Sequence, residues 1–370
     1  MASSWGSFTD SKVKSNQEGD LLIPNSPSDG ISCIAMNGSL NTPTSVLTVG
    51  SWDSTLSVYE MQNTNNNLTN VVPQSQLKHD APILCSAIAV DGVTSYSSGC
   101  DGIIKMWNVT QPASSAQNIG RHDAPVRCMS FVAEMNVLIT GSWDKTLRVW
   151  DSRSPNAVAQ MQLSDRVYAM DSKRGVLVTG TADKQVQVFD LSKGLQKIAD
   201  FKSQLSFQTR SISIFSDGAG FVMGCIEGRA AVEYFSEISK KSTPKTKQDP
   251  NFMFKCHREK KSDKDPSATI YSVNAISFHQ MNTFCTGGSD GIICFWDKDA
   301  KTRLHSLEKF KNMNSISTLA FNPMGNYLLY AVSYDWSRGA EGNNPSLVNS
   351  LYVHPVQESE VKPKDKSKVR

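Results

Sequence analysis

GSWDKTLRVWD, Gly141 to Asp151, opens on a polar bend with a glycine and an aspartate and runs into a segment where Leu147 and Val149 alternate with Lys145, Thr146 and Arg148. The bend is turn chemistry, and the alternation is that of a half-buried strand. The same phrase recurs as GSWDSTLSVYE at 50–60, GCDGIIKMWN at 99–108, GTADKQVQVFD at 180–190, GCIEGRAAVEY at 224–234 and GSDGIICFWD at 288–297. A degraded copy, AVSYDWSRG, occupies 331–339.

The turn acids fall at Asp53, Asp101, Asp144, Asp183, Glu227, Asp290 and Asp335, so the gaps are 48, 43, 39, 44, 63 and 45 residues. A period near 40–45 ending in Trp-Asp is the mark of four-stranded propeller blades. Seven copies predict an all-β, seven-bladed WD-repeat β-propeller. The one long gap predicts an insertion, at about 236–266, between blades five and six. A first blade and a last blade must share a sheet if the ring is to have no open edge. The orphan apolar stretch Gly19–Pro24 (GDLLIP) is therefore expected to close the ring. Residues 1–18 read as a disordered arm, 19–356 as the propeller and 357–370 as a basic disordered tail.

Length alone, 370 residues, would suggest two or three domains, but a blade cannot bury both faces without neighbours. Net charge is only +3, so any nucleic-acid contact must come from local clusters. The eight cysteines form no CxxC pair and predict free thiols in a reducing compartment, with neither a zinc site nor a disulfide framework. The N-terminus lacks the pattern of a signal peptide, and no run of 18 apolar residues predicts membrane insertion. No phosphate-binding glycine loop or HExxH is present, and no cofactor is expected.

Blades two and three each carry a histidine 22 residues before the turn acid, a hydroxyl four before it and a tryptophan six after it: His79, Ser97, Asp101, Trp107 and His122, Thr140, Asp144, Trp150. A Ser/His/Asp trio is the composition of a hydrolase triad, but an active site would occur once. Repetition makes these sets structural, and they resemble the buried hydrogen-bond network of WD-repeat blades. Blade five departs from the pattern, with Glu233 where tryptophan belongs and Arg229 nearby.

Function is expected on the rim. The residues just before the turn acids include Trp52, Trp143 and Tyr334, with Trp336 beside the last. Large aromatics on exposed turns, with arginines nearby, have the composition of an interface hot spot. The insertion carries nine Lys/Arg against five Asp/Glu. Its Lys240, Lys241, Lys255, Arg258, Lys260 and Lys261 are candidate RNA contacts.

Seven stretches, HDAPV at 122–126, GSWDKTLRVWDSR at 141–153, IEGRAAVEY at 226–234, FKCHR at 254–258, IYSVNAISFH at 270–279, GSDGIICFWDKDAKTRL at 288–304 and SYDWSRG at 333–339, resemble the WD-repeat mRNA export factors of the nuclear pore. The spindle-checkpoint propellers are near relatives that share several of them. The resemblance implies a non-enzymatic nuclear-pore adaptor that binds the acid-bearing GLEBS segment of a phenylalanine-glycine-repeat nucleoporin. It places that family's two basic contacts on Arg229 and Arg303. It also implies a role in poly(A) RNA export, a second role at the mitotic spindle, and residence in the nucleus and at the pore with shuttling to the cytoplasm. Two alternatives stay open. One is a checkpoint scaffold binding GLEBS-like peptides of kinetochore kinases. The other is a substrate receptor of a cullin-type ubiquitin ligase, whose adaptor would dock on the WDxR-like Trp150-Asp151-Ser152-Arg153.

Overall fold

The computed structural model describes residues 19–36, 44–64, 67–238, 250–260, 267–307, 314–344, 346 and 348–364. It is a seven-bladed β-propeller. Seven antiparallel four-stranded sheets follow one another along the chain, with their innermost strands beginning at Ile31, Ile83, Val126, Val167, Thr209, Val273 and Ile316. Each innermost strand contacts that of the next blade, and the seventh contacts the first. The ring is closed by Leu21–Ile23, the outermost strand of blade seven, with Leu21 opposite Val353 and Ile23 opposite Leu351.

The apolar alternation predicted from the repeats is what packs the ring. Seven buried clusters lie on the seven seams, each shared by two neighbouring blades. On the closing seam, Ile23 and Leu351 of blade seven meet Ile31, Leu47 and Tyr59 of blade one. The turns obey one rule. A residue with φ between 59° and 75° follows six of the turn acids, namely Ser54, Gly102, Lys145, Lys184, Gly228 and Gly291, and Trp336 follows the seventh at 58°. In all blades but five, the acid's carboxylate accepts the backbone N–H two residues on, as at Thr146 onto Asp144, 2.9 Å. Each innermost strand also slips register by one residue near its start. The bulged positions are Ser32, Leu84, Arg127, Tyr168, Arg210, Asn274 and Ser317.

Inside the insertion, Phe252–Lys255 is the fourth strand of blade five, and Arg258–Lys260 pairs with Ala268–Ile270 as a separate hairpin. Residues 1–18, 239–249, 261–266 and 365–370 lie outside the described residues, and with them Lys240, Lys241 and Lys261. The expected disordered tail gives way to order at its start. Glu358–Val361 is a short helix with a capping box between Gln357 and Glu360, and Val361 is buried in the seam between blades six and seven. It is held because its carboxylate and its apolar side chain both have partners waiting.

Those partners belong to the closure. Asp20, just before the closing strand, accepts hydrogen bonds from His354 (Nδ1, 2.6 Å) and the Tyr330 hydroxyl (2.5 Å). The other imidazole nitrogen of His354 faces Glu360 at 3.0 Å, and Glu360 also lies 3.5 Å from His305. Burial would lower the His354 pKa, but its bonds to the two carboxylates outweigh that and raise it to about 9. A histidine whose folded pKa exceeds its unfolded value of about 6.5 stabilises fully below 6.5 and loses that contribution as pH rises through 9. Thermal melts should therefore show the native chain losing on the order of 2–3 kcal/mol between pH 6 and pH 9.5 from this group. His354→Gln should be less stable at pH 6 and have a flatter pH profile.

Candidate functional site

Two kinds of polar arrangement share the turn end of the blades, and their chemistry differs. The first is sealed. In blade three, His122 places Nδ1 2.7 Å from Asp144 and Nε2 2.8 Å from Thr140, whose hydroxyl also accepts the Trp150 indole N–H at 2.8 Å. Burial would raise the Asp144 pKa, yet bonds from His122 and Thr146 hold it well below the usual carboxylate range. Blade two repeats His79 to Asp101 at 2.9 Å and to Ser97 at 2.8 Å. Trp107 does not complete this set, because its indole N–H donates to the Gln111 carbonyl instead, at 3.1 Å.

Blade six holds a second complete network, which the fixed spacing missed: His257 to Asp290 (2.9 Å) and Thr286 (2.8 Å), with Trp296 donating to Thr286 (2.9 Å). His257 precedes its acid by 33 residues rather than 22, because the 258–270 hairpin is inserted between them. These histidines are buried and fully bonded, so they stiffen blades and offer nothing to a substrate.

The second arrangement is open. The turn residues Trp52, Trp143, Ile226, Tyr334 and Trp336 surround a cavity of about 470 Å³ at the mouth of the axial channel. Trp52 is 46% exposed, Trp336 51% and Ile226 45%, in a ring whose other large apolar groups are mostly buried. Trp143 stands edge-on to Tyr168, and Arg166 lies over the Tyr168 ring at 5.6 Å. Trp336 packs against Tyr334 in the left-handed region, where a bulky side chain is strained. Strain of this kind persists at sites that use it. The structure thus brings the four rim aromatics named from the sequence into one surface.

The arginines named with them lie elsewhere. Arg229 starts the third strand of blade five, shares the face of Ala231 and Glu233 that packs on blade four, and pairs with Glu227 at 3.4 Å. Glu233 is fully buried and accepts a hydrogen bond from Gln204 at 2.9 Å. Arg303 lies across from Trp296 on the outer strand of blade six. It reaches Cys294 on the face that meets blade five, where Trp296 packs on Phe254 with ring centroids 4.7 Å apart. Blade five stands between the two arginines. Of the candidate RNA contacts, Lys255 is exposed opposite Arg229. Arg258 is half-buried and occupied, donating to the Glu227 carbonyl at 2.8 Å and lying 3.6 Å from its carboxylate. The Lys260 side chain is outside the described residues. Asp151 and Arg153 of the WDxR-like stretch form an exposed pair at 2.6 Å.

Among the described residues, no cluster of His, Cys, Asp or Glu is arranged to hold a metal, and no helix is long and apolar enough to cross a membrane.

The family model for the WD domain, G-beta repeat, matches residues 114–151 and 265–297. The chain is 41% identical over 354 residues to Protein RAE1 of Arabidopsis thaliana, with 95% of each chain covered. It is 36% identical over 376 residues to mRNA export factor GLE2 of Chaetomium thermophilum, with 100% of each covered. It is 38% identical over 369 residues to the poly(A)+ RNA export protein of Schizosaccharomyces pombe, with 98% of each covered. Among solved structures, the WD40 repeats of RRP9 match with a TM-score of 0.70 over 92% of this chain and 98% of that one, at 17% identity, which is a likeness of fold.

Because the networks of blades three and six make the same contacts, His257→Leu should lower the melting temperature about as much as His122→Leu. Each loss takes one buried hydrogen-bond partner from the carboxylate and one from the hydroxyl, a cost of roughly 1–3 kcal/mol. Calorimetry on the two variants would check it.

Proposed function

This chain belongs to the WD-repeat mRNA export factor family, and we propose that it acts in mRNA export as a nuclear-pore adaptor, gripping the acidic GLEBS segment of a phenylalanine-glycine-repeat nucleoporin. The observation that carries this reading is 36–41% identity, over 95–100% of this chain, to three relatives named for RNA export or as RAE1 and GLE2. The exposed aromatics at the axial mouth supply apolar area for a peptide, and Arg229 and Arg303 supply charge on either side of blade five. A peptide meeting both arginines crosses blade five between them. The adaptor would reside at the nuclear envelope and shuttle to the cytoplasm. Exposed Lys255 would offer poly(A) RNA a phosphate contact nearby.

The two arginines are not equal partners. Arg229 already neutralises Glu227, so a peptide carboxylate shares it with an internal rival. Arg303 is exposed and paired with no acid among the described residues. Titrating a labelled GLEBS peptide into the full chain should give tight binding, with Arg303→Ala weakening it about tenfold or more and Arg229→Ala weakening it less. Absence of binding at micromolar peptide would end this reading.

A further inference from the structure

The floor of the axial mouth is built by the seven register slips. A bulge re-aims one side chain per strand, and here all seven re-aimed residues line the one cavity below the aromatic rim. Their chemistry is uneven around the ring. Blades three, four and five contribute Arg127, Tyr168 and Arg210, and blades six and seven contribute Asn274 and Ser317.

Among the described residues, neither Arg127 nor Arg210 makes a side-chain hydrogen bond or an ion pair. The acid whose charge reaches Arg210 is Asp335, and its carboxylate is already engaged by Asn274 at 2.8 Å and by the Ser289 hydroxyl. Burial, and the charge of Arg127, both weigh against the Arg210 cation. Opposite them, Asn274 is 6% exposed and spends its amide N–H groups on Asp335 and the Ile316 carbonyl, which leaves Oδ1 buried without a donor. The Ser317 hydroxyl is likewise buried without a partner.

Two half-buried like charges, neither of them hydrogen-bonded, and two orphaned polar atoms around one opening cost stability. A chain shaped for folding alone would not place them together. Their complement is a group that brings a negative charge to one side and an N–H donor to the other. The rim above fixes what carries that group. Trp52, Trp143, Ile226 and Trp336 present an apolar collar that a free ion would leave exposed, whereas an apolar-flanked peptide covers it.

We propose that the axial mouth is a carboxylate-binding subsite: one aspartate or glutamate of a docked peptide enters it between Arg127 and Arg210, while the peptide's backbone N–H reaches Asn274 Oδ1 or Ser317. This rests on the reading that the rim binds an acidic peptide, and it adds a central anchor distinct from Arg229 and Arg303. Neither arginine makes a side-chain hydrogen bond or an ion pair among the described residues, so replacing it with glutamine breaks no contact, and at Arg210 the lost attraction to Asp335 is offset by relief from burial of the charge and from Arg127.

The test is a fluorescence anisotropy titration of the full chain with a synthetic GLEBS peptide, and with versions in which each acid in turn becomes its amide. The proteins are the native chain, Arg127→Gln, Arg210→Gln and the double variant, each also melted thermally. Support is a tenfold or greater loss of affinity in each single variant, with melting temperatures unchanged or raised. One peptide amide should then cost the native chain the same factor and the double variant nothing further. Variants binding within twofold of native would overturn the subsite and leave the peptide reading standing. A loss that couples to no single peptide acid would also overturn it. A native chain that binds no peptide would remove both.

Discussion

No blade in this ring has a core of its own. Every buried cluster lies on a seam and takes its side chains from two sheets, so each blade is folded only to the extent that both neighbours are present. That shared burial makes closure a necessity, since an open ring would leave the apolar faces of blades one and seven in water. It also explains why so much polar chemistry collects where Leu21–Ile23 meets blade seven. Asp20, Tyr330, His354 and Glu360 join the first strand, the last strand and the C-terminal helix in one buried set of hydrogen bonds.

Rigid seams have a functional return. They hold seven turns on one side of the ring in a fixed arrangement, so the aromatic rim is organised before any partner arrives, and little ordering cost remains for binding. Two sets of polar groups show the contrast. In the histidine networks within blades, such as His122 with Asp144 and Thr140, both imidazole nitrogens are bonded. The orphans Asn274 Oδ1 and Ser317 Oγ border the axial mouth. Even the outlying cations follow this logic, since Arg258 is consumed by the turn of blade five while Arg303 is left facing outward.

The blade count, the closing strand and the rim aromatics were legible because each rests on a local rule repeated several times: alternation, turn acid, a fixed period. What escaped was whatever broke the period or fell below its resolution. His257 was invisible because a hairpin separates it from Asp290, although its contacts match those of His122. Trp107 sits at the expected spacing and still bonds elsewhere, since spacing cannot report that the Gln111 carbonyl lies within reach of its indole. The helix at Glu358–Val361 is too short to show a 3.6-residue period, and only Glu360 and Val361, anchored by distant partners, fix it. The floor of the mouth was missed for a subtler reason. A bulge adds one residue inside an alternating strand, and in Val126-Arg127-Cys128 nothing marks the arginine as the one turned toward the axis.

Asp20 and His354 meet across a separation of 334 residues, and that distance sets a clock on biosynthesis. A ribosome adding ~5–20 residues per second needs roughly 15–70 s to deliver the second partner after the first. Throughout that interval the emerging chain is an arc with an apolar sheet face bare at either end, a surface that invites association with another chain. Shielding those faces until the final strand leaves the exit tunnel is thus a demand that the closed ring imposes on the cell that makes it.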